Sequence, residues 1–172
     1  MKTEERRERL RHRLEMAGSA IKGTVLAQEF HVSRQVIVGD LNILRAQGVN
    51  VFATPRGYLI PKKGQEKNSL LATLVCRHDA EGMKRELEII VDNGGHVRDV
   101  VVEHPVYGEI RGDLMLRSRR DVNAFLEKMM ESGASPLLAV SGGIHLHTVE
   151  VMDKESLQEI RAGLEQEGIL IE

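Results

Sequence analysis

Only one cysteine, Cys76, occurs in the 172 residues, so no intrachain disulfide can form and a reducing compartment is the natural setting. No apolar run approaches the roughly 18–20 residues needed to cross a bilayer, so no membrane partner is expected. The first residues, MKTEERRERLRHRLEMAG, are charged from the second position and lack the apolar segment of a secretory signal. A cytoplasmic protein is expected. Neither common phosphate-cradling glycine loop is present. Nor is there a nucleophile partnered by a base, which argues against an enzyme. With 41% hydrophobic and 29% charged residues, the chain has the makings of a folded, soluble protein rather than a disordered one.

The net charge of -2 hides an asymmetry. Residues 1–63 hold 12 Lys and Arg against 6 Asp and Glu, whereas residues 64–172 hold 12 against 20. A basic first third on an acidic remainder is the pattern expected when only the first third meets a polyanion. The alternative is a solvated charged helix, because five arginines crowd into residues 6–13.

Residues 3–17 predict an amphipathic helix ending near Gly18, with Leu10 and Leu14 on its apolar side. Thr24 is placed to cap a short second helix, VLAQEF, with Val25, Leu26 and Phe30 facing inward. Ser33 is placed to cap a third, RQVIVGDLNILRAQG, which ends at Gly48 and buries Val36, Ile37, Leu41 and Leu44. Arg34 and Gln35 at its start suit base edges in a major groove, and Arg45 lies near its end. VNVFATPRGYLIP then alternates, turns at Pro55-Arg56-Gly57, and alternates again: a hairpin wing with Arg56 at its tip for a phosphate or minor-groove contact. The order LA, VSRQ, D-L-x-x-L-R-x-x-G and R-G-Y-L resembles the winged helix of biotin-repressor-type bacterial regulators. That resemblance implies binding to double-stranded operator DNA. Such regulators usually act on palindromic sites as two-fold dimers, so a homodimer is expected.

PKKGQEKN, residues 61–68, is polar and aperiodic and reads as a linker, so we divide the chain into a winged helix-turn-helix domain, 1–62, and a second domain, 63–172. In the latter, SLLATLVCRH, HVRDVVVEH, YGEIRGDLML, SPLLAV, GIHLHTVEV and ILIE are strand candidates. Helices are expected over AEGMKRELEIIVDN, SRRDVNAFLEKMMES and DKESLQEIRAGLEQEG. The whole predicts an α+β fold: a winged helix followed by a mixed α/β sandwich with helices over one face of a sheet.

Four residues do not fit a plain core. His145 and His147 lie two apart on a strand, so both imidazoles share the face that carries Val149 and Val151. Glu86 falls inside the apolar arc of its helix, between Ile89 and Ile90, where a lone carboxylate is costly unless paired or bound to a metal. His78 ends the first strand of the domain. Together they form an N3O set suited to zinc, nickel or ferrous iron. The alternatives are an exposed polar strand face and a Glu86 paired with Arg85, Arg98 or Arg111. Cys76 shares the strand face of His78 and reads as a core residue.

CRHDAEGMKRELEIIVDNGG, VVVEHPVYGEI and SGGIHLHTVE are similar to the three-histidine (3H) domain, which belongs, fused to this kind of winged helix, to niacin-responsive repressors of NAD biosynthesis. The resemblance covers residues 5–170. It implies a repressor with nicotinic acid as co-repressor and nickel or zinc as cofactor, held by His78, Glu86, His145 and His147. Nicotinate needs a cation for its carboxylate and an apolar wall for its ring. The metal or Arg111 is expected to provide the first and Tyr107 the second, with His104 as a hydrogen-bonding neighbour. Two other classes stay open: a regulator for which the metal itself is the signal, and an enzyme using metal-activated water.

Overall fold

A computed structural model describes residues 2–62 and 68–171 and divides the chain into two units, Met1–Gln65 and Glu66–Glu172. The expected linker at 61–68 falls mostly on residues 63–67, outside the described residues.

The first unit is a helix-turn-helix with a wing. Helices α1 (Thr3–Met16), α2 (Gly23–Glu29) and α3 (Arg34–Ala46) are followed by the hairpin strands β1 (Phe52–Thr54) and β2 (Gly57–Leu59). Leu10, Leu14, Leu26, Ile37 and Leu41 are fully buried against one another. Each stabilises the unit by about 1.5–3 kcal/mol relative to an exposed side chain. Ser33 accepts from the Val36 N–H and so starts α3 where expected. Gly48, at φ +86°, ends it. Gly57 is required at the wing: at φ +129°, a Cβ there would lie 2.3 Å from the Ile21 carbonyl oxygen.

Three local expectations need correction. Thr24 does not cap α2, which begins at Gly23 after Lys22 with no side-chain cap. Gly23 opens the helix, and a Cβ there would meet Tyr58 Cε2 at 3.1 Å and Arg34 Nε at 3.4 Å. Val25 and Val36 are exposed, not buried. On α3 the buried arc is Ile37, Asp40, Leu41 and Leu44, and Val36 lies about 40° beyond its edge. The buried place goes instead to Asp40, 3% exposed, which accepts from Arg6 Nε at 2.6 Å. Arg13 likewise binds Glu29 at 2.9 Å. Part of the arginine cluster in α1 therefore fastens helices together.

In the second unit, strands β3 (Leu70–Arg77), β4 (His96–His104), β5 (Gly108–Leu116) and β6 (Ile144–Val151) form an antiparallel sheet in the order β3-β6-β4-β5. Helices α4 (Met83–Asp92), α5 (Arg119–Ser132) and α6 (Lys154–Gln166) place Leu87, Ile90, Val122, Ile160 and Leu164 in one core with Leu74, Val97, Val149 and Val151 of the sheet. Asp79, Ser118 and Asp153 accept backbone N–H groups at the starts of a 3-10 turn (Ala80–Gly82), α5 and α6. The α+β fold, with helices over one sheet face, is as expected. SPLLAV is not a strand. Pro136 leads into a 3-10 turn, Leu137–Ser141, whose leucines fold down over the helix side of the sheet. ILIE is reduced to a single bridge, Leu170 with Cys76 on the edge of β3.

Candidate functional site

Alternation on β6 puts His145 and His147 on the helix face, 1% and 3% exposed. Facing them is the first turn of α4. Its buried arc is Met83, Glu86, Leu87, Ile89, Ile90 and Val91, so the carboxylate of Glu86, 1% exposed, points inward with the apolar side chains. His78 follows the last residue of β3 and turns over the same point. Its Nε2 lies 2.6 Å from Glu86 Oε2, His145 Nε2 lies 3.0 Å from Oε1, and His147 Nε2 lies 3.3 Å from Oε2.

The other ring nitrogens decide what these contacts mean. His78 Nδ1 donates to the Asp79 carbonyl at 2.6 Å, His145 Nδ1 to Gly143 at 2.8 Å, and His147 Nδ1 to Asp99 at 2.6 Å. A carbonyl only accepts, so each Nδ1 carries the proton. In the neutral imidazoles, Nε2 is then a bare lone pair, and three such lone pairs converge on a carboxylate that also only accepts. The arrangement calls for a positive charge at its centre, as protons or as a cation. Burial pushes the Glu86 carboxyl up. The charge of His147 and the hydrogen bonds of the three imidazoles outweigh it and hold Glu86 well below the usual carboxylate range. Burial opposes protonation of His78 and His147, yet Glu86 raises both above the ordinary imidazole value.

The donor set fits a metal. Ligand atoms of His78, Glu86 and His145 all lie within 4.8 Å of one another, with His147 beside them. Donors on opposite sides of a transition metal at ~2.0–2.1 Å each are at most ~4.2 Å apart, so a small contraction suffices. The three alternative partners of Glu86 are engaged elsewhere: Arg85 with Glu167, Arg98 with Glu150 and Arg111 with Asp99. Cys76, paired with His145 across the sheet, is a buried thiol that burial and then Glu86 push up, so it stays neutral.

Two glycines that the sequence reading passed over shape the site. A Cβ at Gly82 would come within 2.8 Å of the His78 ring, and one at Gly143, φ +93°, would lie 2.5 Å from the His78 carbonyl oxygen. The Gly143 carbonyl also accepts the His78 N–H at 3.3 Å, so it ties two of the histidines to one turn. For Gly143 the signal in the sequence was the Gly-Gly pair immediately before Ile-His-Leu-His; Gly82 had none.

Beside the histidines lies a cavity of about 120 Å³. Glu86, His145 and His147 line it, together with Leu87, Val100, Phe125 and Leu137 among others. The residues expected to hold a ligand, His104, Tyr107 and Arg111, do not line it. His104 Nδ1 accepts from the Val106 and Tyr107 N–H groups at 3.1 and 3.2 Å and so shapes the β4–β5 turn, where Tyr107 is 78% exposed. Arg111 pairs with Val101 across the sheet, one residue before the cavity-lining Gly112. Alternation therefore sends it to the opposite face, to Asp99 Oδ2 at 2.9 Å.

In the first unit, Arg34 and Gln35 are exposed at the start of α3, next to the capping Ser33, and Arg56 is exposed at the wing tip. Arg45, also expected at the DNA, is half-buried near the end of α3. Its Nε donates to the Val51 carbonyl at 2.8 Å and its Nη1 to Asn42 at 2.9 Å, so it clasps α3 to the wing's approach.

Residues 71–172 match the family described as the 3H domain, and residues 6–59 match an HTH domain. The chain is 44% identical over 159 residues to a "Probable transcription repressor NiaR" of Thermotoga maritima, covering 92% of this chain and 89% of that protein. It is 36% identical over 167 residues to the "Transcription repressor NadR" of Bacillus subtilis, covering 96% and 93% respectively. No helix among the described residues is long and apolar enough to cross a membrane.

Proposed function

The chain belongs to the 3H-domain family of transcription repressors, and on that footing we propose that it represses genes for NAD synthesis or niacin uptake, with nicotinic acid as co-repressor. The observation that carries the sensing half of this reading is the convergence of three imidazole Nε2 atoms on the buried Glu86. His78, Glu86, His145 and His147 hold a divalent transition metal, nickel or zinc. When bound, that ion offsets the Glu86 charge and supplies a positive centre for an anionic ligand.

At the other end, Ser33 fixes the start of α3, from which Arg34 and Gln35 read base edges. Arg56 contacts a phosphate or the minor groove from the wing. One such unit covers a short half-site, so the repressor acts as a homodimer on double-stranded operator DNA. Nicotinic acid switches it only by binding the DNA-competent form more tightly. A hundredfold gain in operator affinity requires about a hundredfold preference, or about 2.7 kcal/mol.

Fluorescence anisotropy of an operator duplex at fixed salt tests the reading. Nicotinic acid should tighten binding at least tenfold in the metal-loaded repressor and leave a His145→Ala, His147→Ala variant unresponsive. Operator affinity that ignores nicotinic acid over a wide concentration range sinks the co-repressor assignment. A second reading, in which the metal is itself the signal, is favoured by the donor atoms of His78, Glu86 and His145 lying within 4.8 Å of one another, so that an ion needs no further group to gather them. It predicts a full operator response to metal added to chelated protein without nicotinic acid.

A further inference from the structure

We infer that Val36 and Gly39 of α3 help to choose the operator: Val36 reads a thymine C5-methyl group in the major groove, and Gly39 lets the helix backbone come close enough for that contact. The inference rests on the reading of α3 as the helix that meets DNA. To Arg34 and Gln35 it adds two residues whose side chains offer no hydrogen bond.

Gly39 is the more telling of the two. It is exposed in the middle of α3, about 160° around the helix from the buried Ile37. Glycine suits a helix interior poorly, because it loses more backbone freedom on folding than alanine does. At Gly23 a Cβ would meet Tyr58 at 3.1 Å, so that glycine has a reason inside the fold. Gly39 has none. Its φ is not positive, and beyond its own turn of helix a Cβ there would meet no atom within 4 Å. An alanine would fit and would favour the helix. What the missing side chain serves therefore lies outside the chain, on the side that α3 turns outward.

Val36, 37% exposed, lies on that side within about 60° of Gly39. A β-branched side chain loses χ1 freedom in a helix, and in this place Val36 does not recover the cost by filling the core. In the major groove a valine has one partner, the thymine methyl, which is the apolar group among the base edges displayed there. Cytosine carries no such methyl, so valine separates the two pyrimidines where a hydrogen bond is not made. Val36 belongs to the first turn of α3, beside Gln35, and that end of a recognition helix contacts base edges. Ile43, 41% exposed, shares the side of Val36 but lies about 10.5 Å further along the axis. The charge on the helix favours DNA over a basic protein as the occupant. The one carboxylate of α3, Asp40, is buried and bound to Arg6, so no acidic side chain of the helix opposes the phosphates.

The test uses the full-length protein and a duplex that it selects from a pool of random sequences, with and without nicotinic acid, so that the result does not hang on the co-repressor. Each thymine of the selected duplex is then replaced singly by deoxyuridine, which keeps the base pair and removes only the methyl. Fluorescence anisotropy compares wild type, Val36→Ala, Gly39→Ala and Ile43→Ala. At one or more thymines in each half-site, loss of the methyl should weaken wild-type binding about fourfold, the worth of one buried methyl-sized group. Val36→Ala should lose about as much on the thymine duplex and nothing further on the uracil one. Gly39→Ala should melt no lower than wild type yet bind every duplex at least fivefold more weakly. Indifference to every methyl, or a methyl effect that survives in Val36→Ala or vanishes in Ile43→Ala instead, overturns the role of Val36. Wild-type affinity in Gly39→Ala overturns the close approach. A pool that yields no preferred duplex ends the operator reading itself, and this inference with it.

Discussion

At the scale of single residues, two buried titratable groups are handled in opposite ways. Glu86 is surrounded by imidazoles that meet its charge, so its burial costs little once the cluster is filled. It was legible in the sequence because a carboxylate on an apolar arc breaks the helical pattern, and two histidines at strand spacing supply its partners. Asp40 and Arg6 were not legible, since 34 residues separate them and only packing makes them neighbours. His96 receives no such help. It is 8% exposed, its Nε2 has no hydrogen-bond partner, and Glu150 lies 3.4 Å from its Nδ1. Burial, with Arg117 adding to it, lowers its pKa to about 4. The unfolded chain protonates His96 below about 6.5, but the folded chain does not until about 4. Stability is therefore lost as pH falls between those values. A His96→Gln variant should lose less melting temperature than wild type between pH 6.5 and 4, followed by circular dichroism. Equal slopes would mean that His96 protonates freely in the fold.

At the scale of elements, the short connection Gly142–Gly143 does more than join the 3-10 turn to β6. Its carbonyl at Gly143 orients His145 and pins the backbone of His78. Gly143→Ala would cost about 1–2 kcal/mol from its left-handed backbone alone, and the 2.5 Å approach to His78 adds to that. Metal analysis of the purified variant should find the metal content at least halved while operator affinity in the absence of nicotinic acid is unchanged. A fully loaded variant would show that the turn does not position the histidines. Helix starts at Ser33, Ser118 and Asp153 were readable because each cap acts on its own next three residues. The turn at 137–141 was misread because a short apolar run looks the same in a strand and in a folded-down loop. The cavity was unreadable because its walls come from α4, β4, β5, α5, β6 and the 3-10 turn, joined only by the sheet order.

At the scale of the whole chain, the two hydrophobic cores share no residue. Each unit is therefore expected to melt on its own, and the cluster of His78, Glu86 and His145 belongs wholly to the second. Scanning calorimetry should resolve two transitions, of which only one moves down on adding chelator, by several degrees for each kcal/mol of binding lost. A single transition, or a shift of both, would mean that the units melt together. The charge imbalance that first pointed to a nucleic-acid partner has a structural share as well, since Arg6 and Arg13 bind Asp40 and Glu29. Separate interiors also make the halves interchangeable parts. A substitution on the exposed face of α3 leaves the second unit's core, and the histidines it holds, untouched.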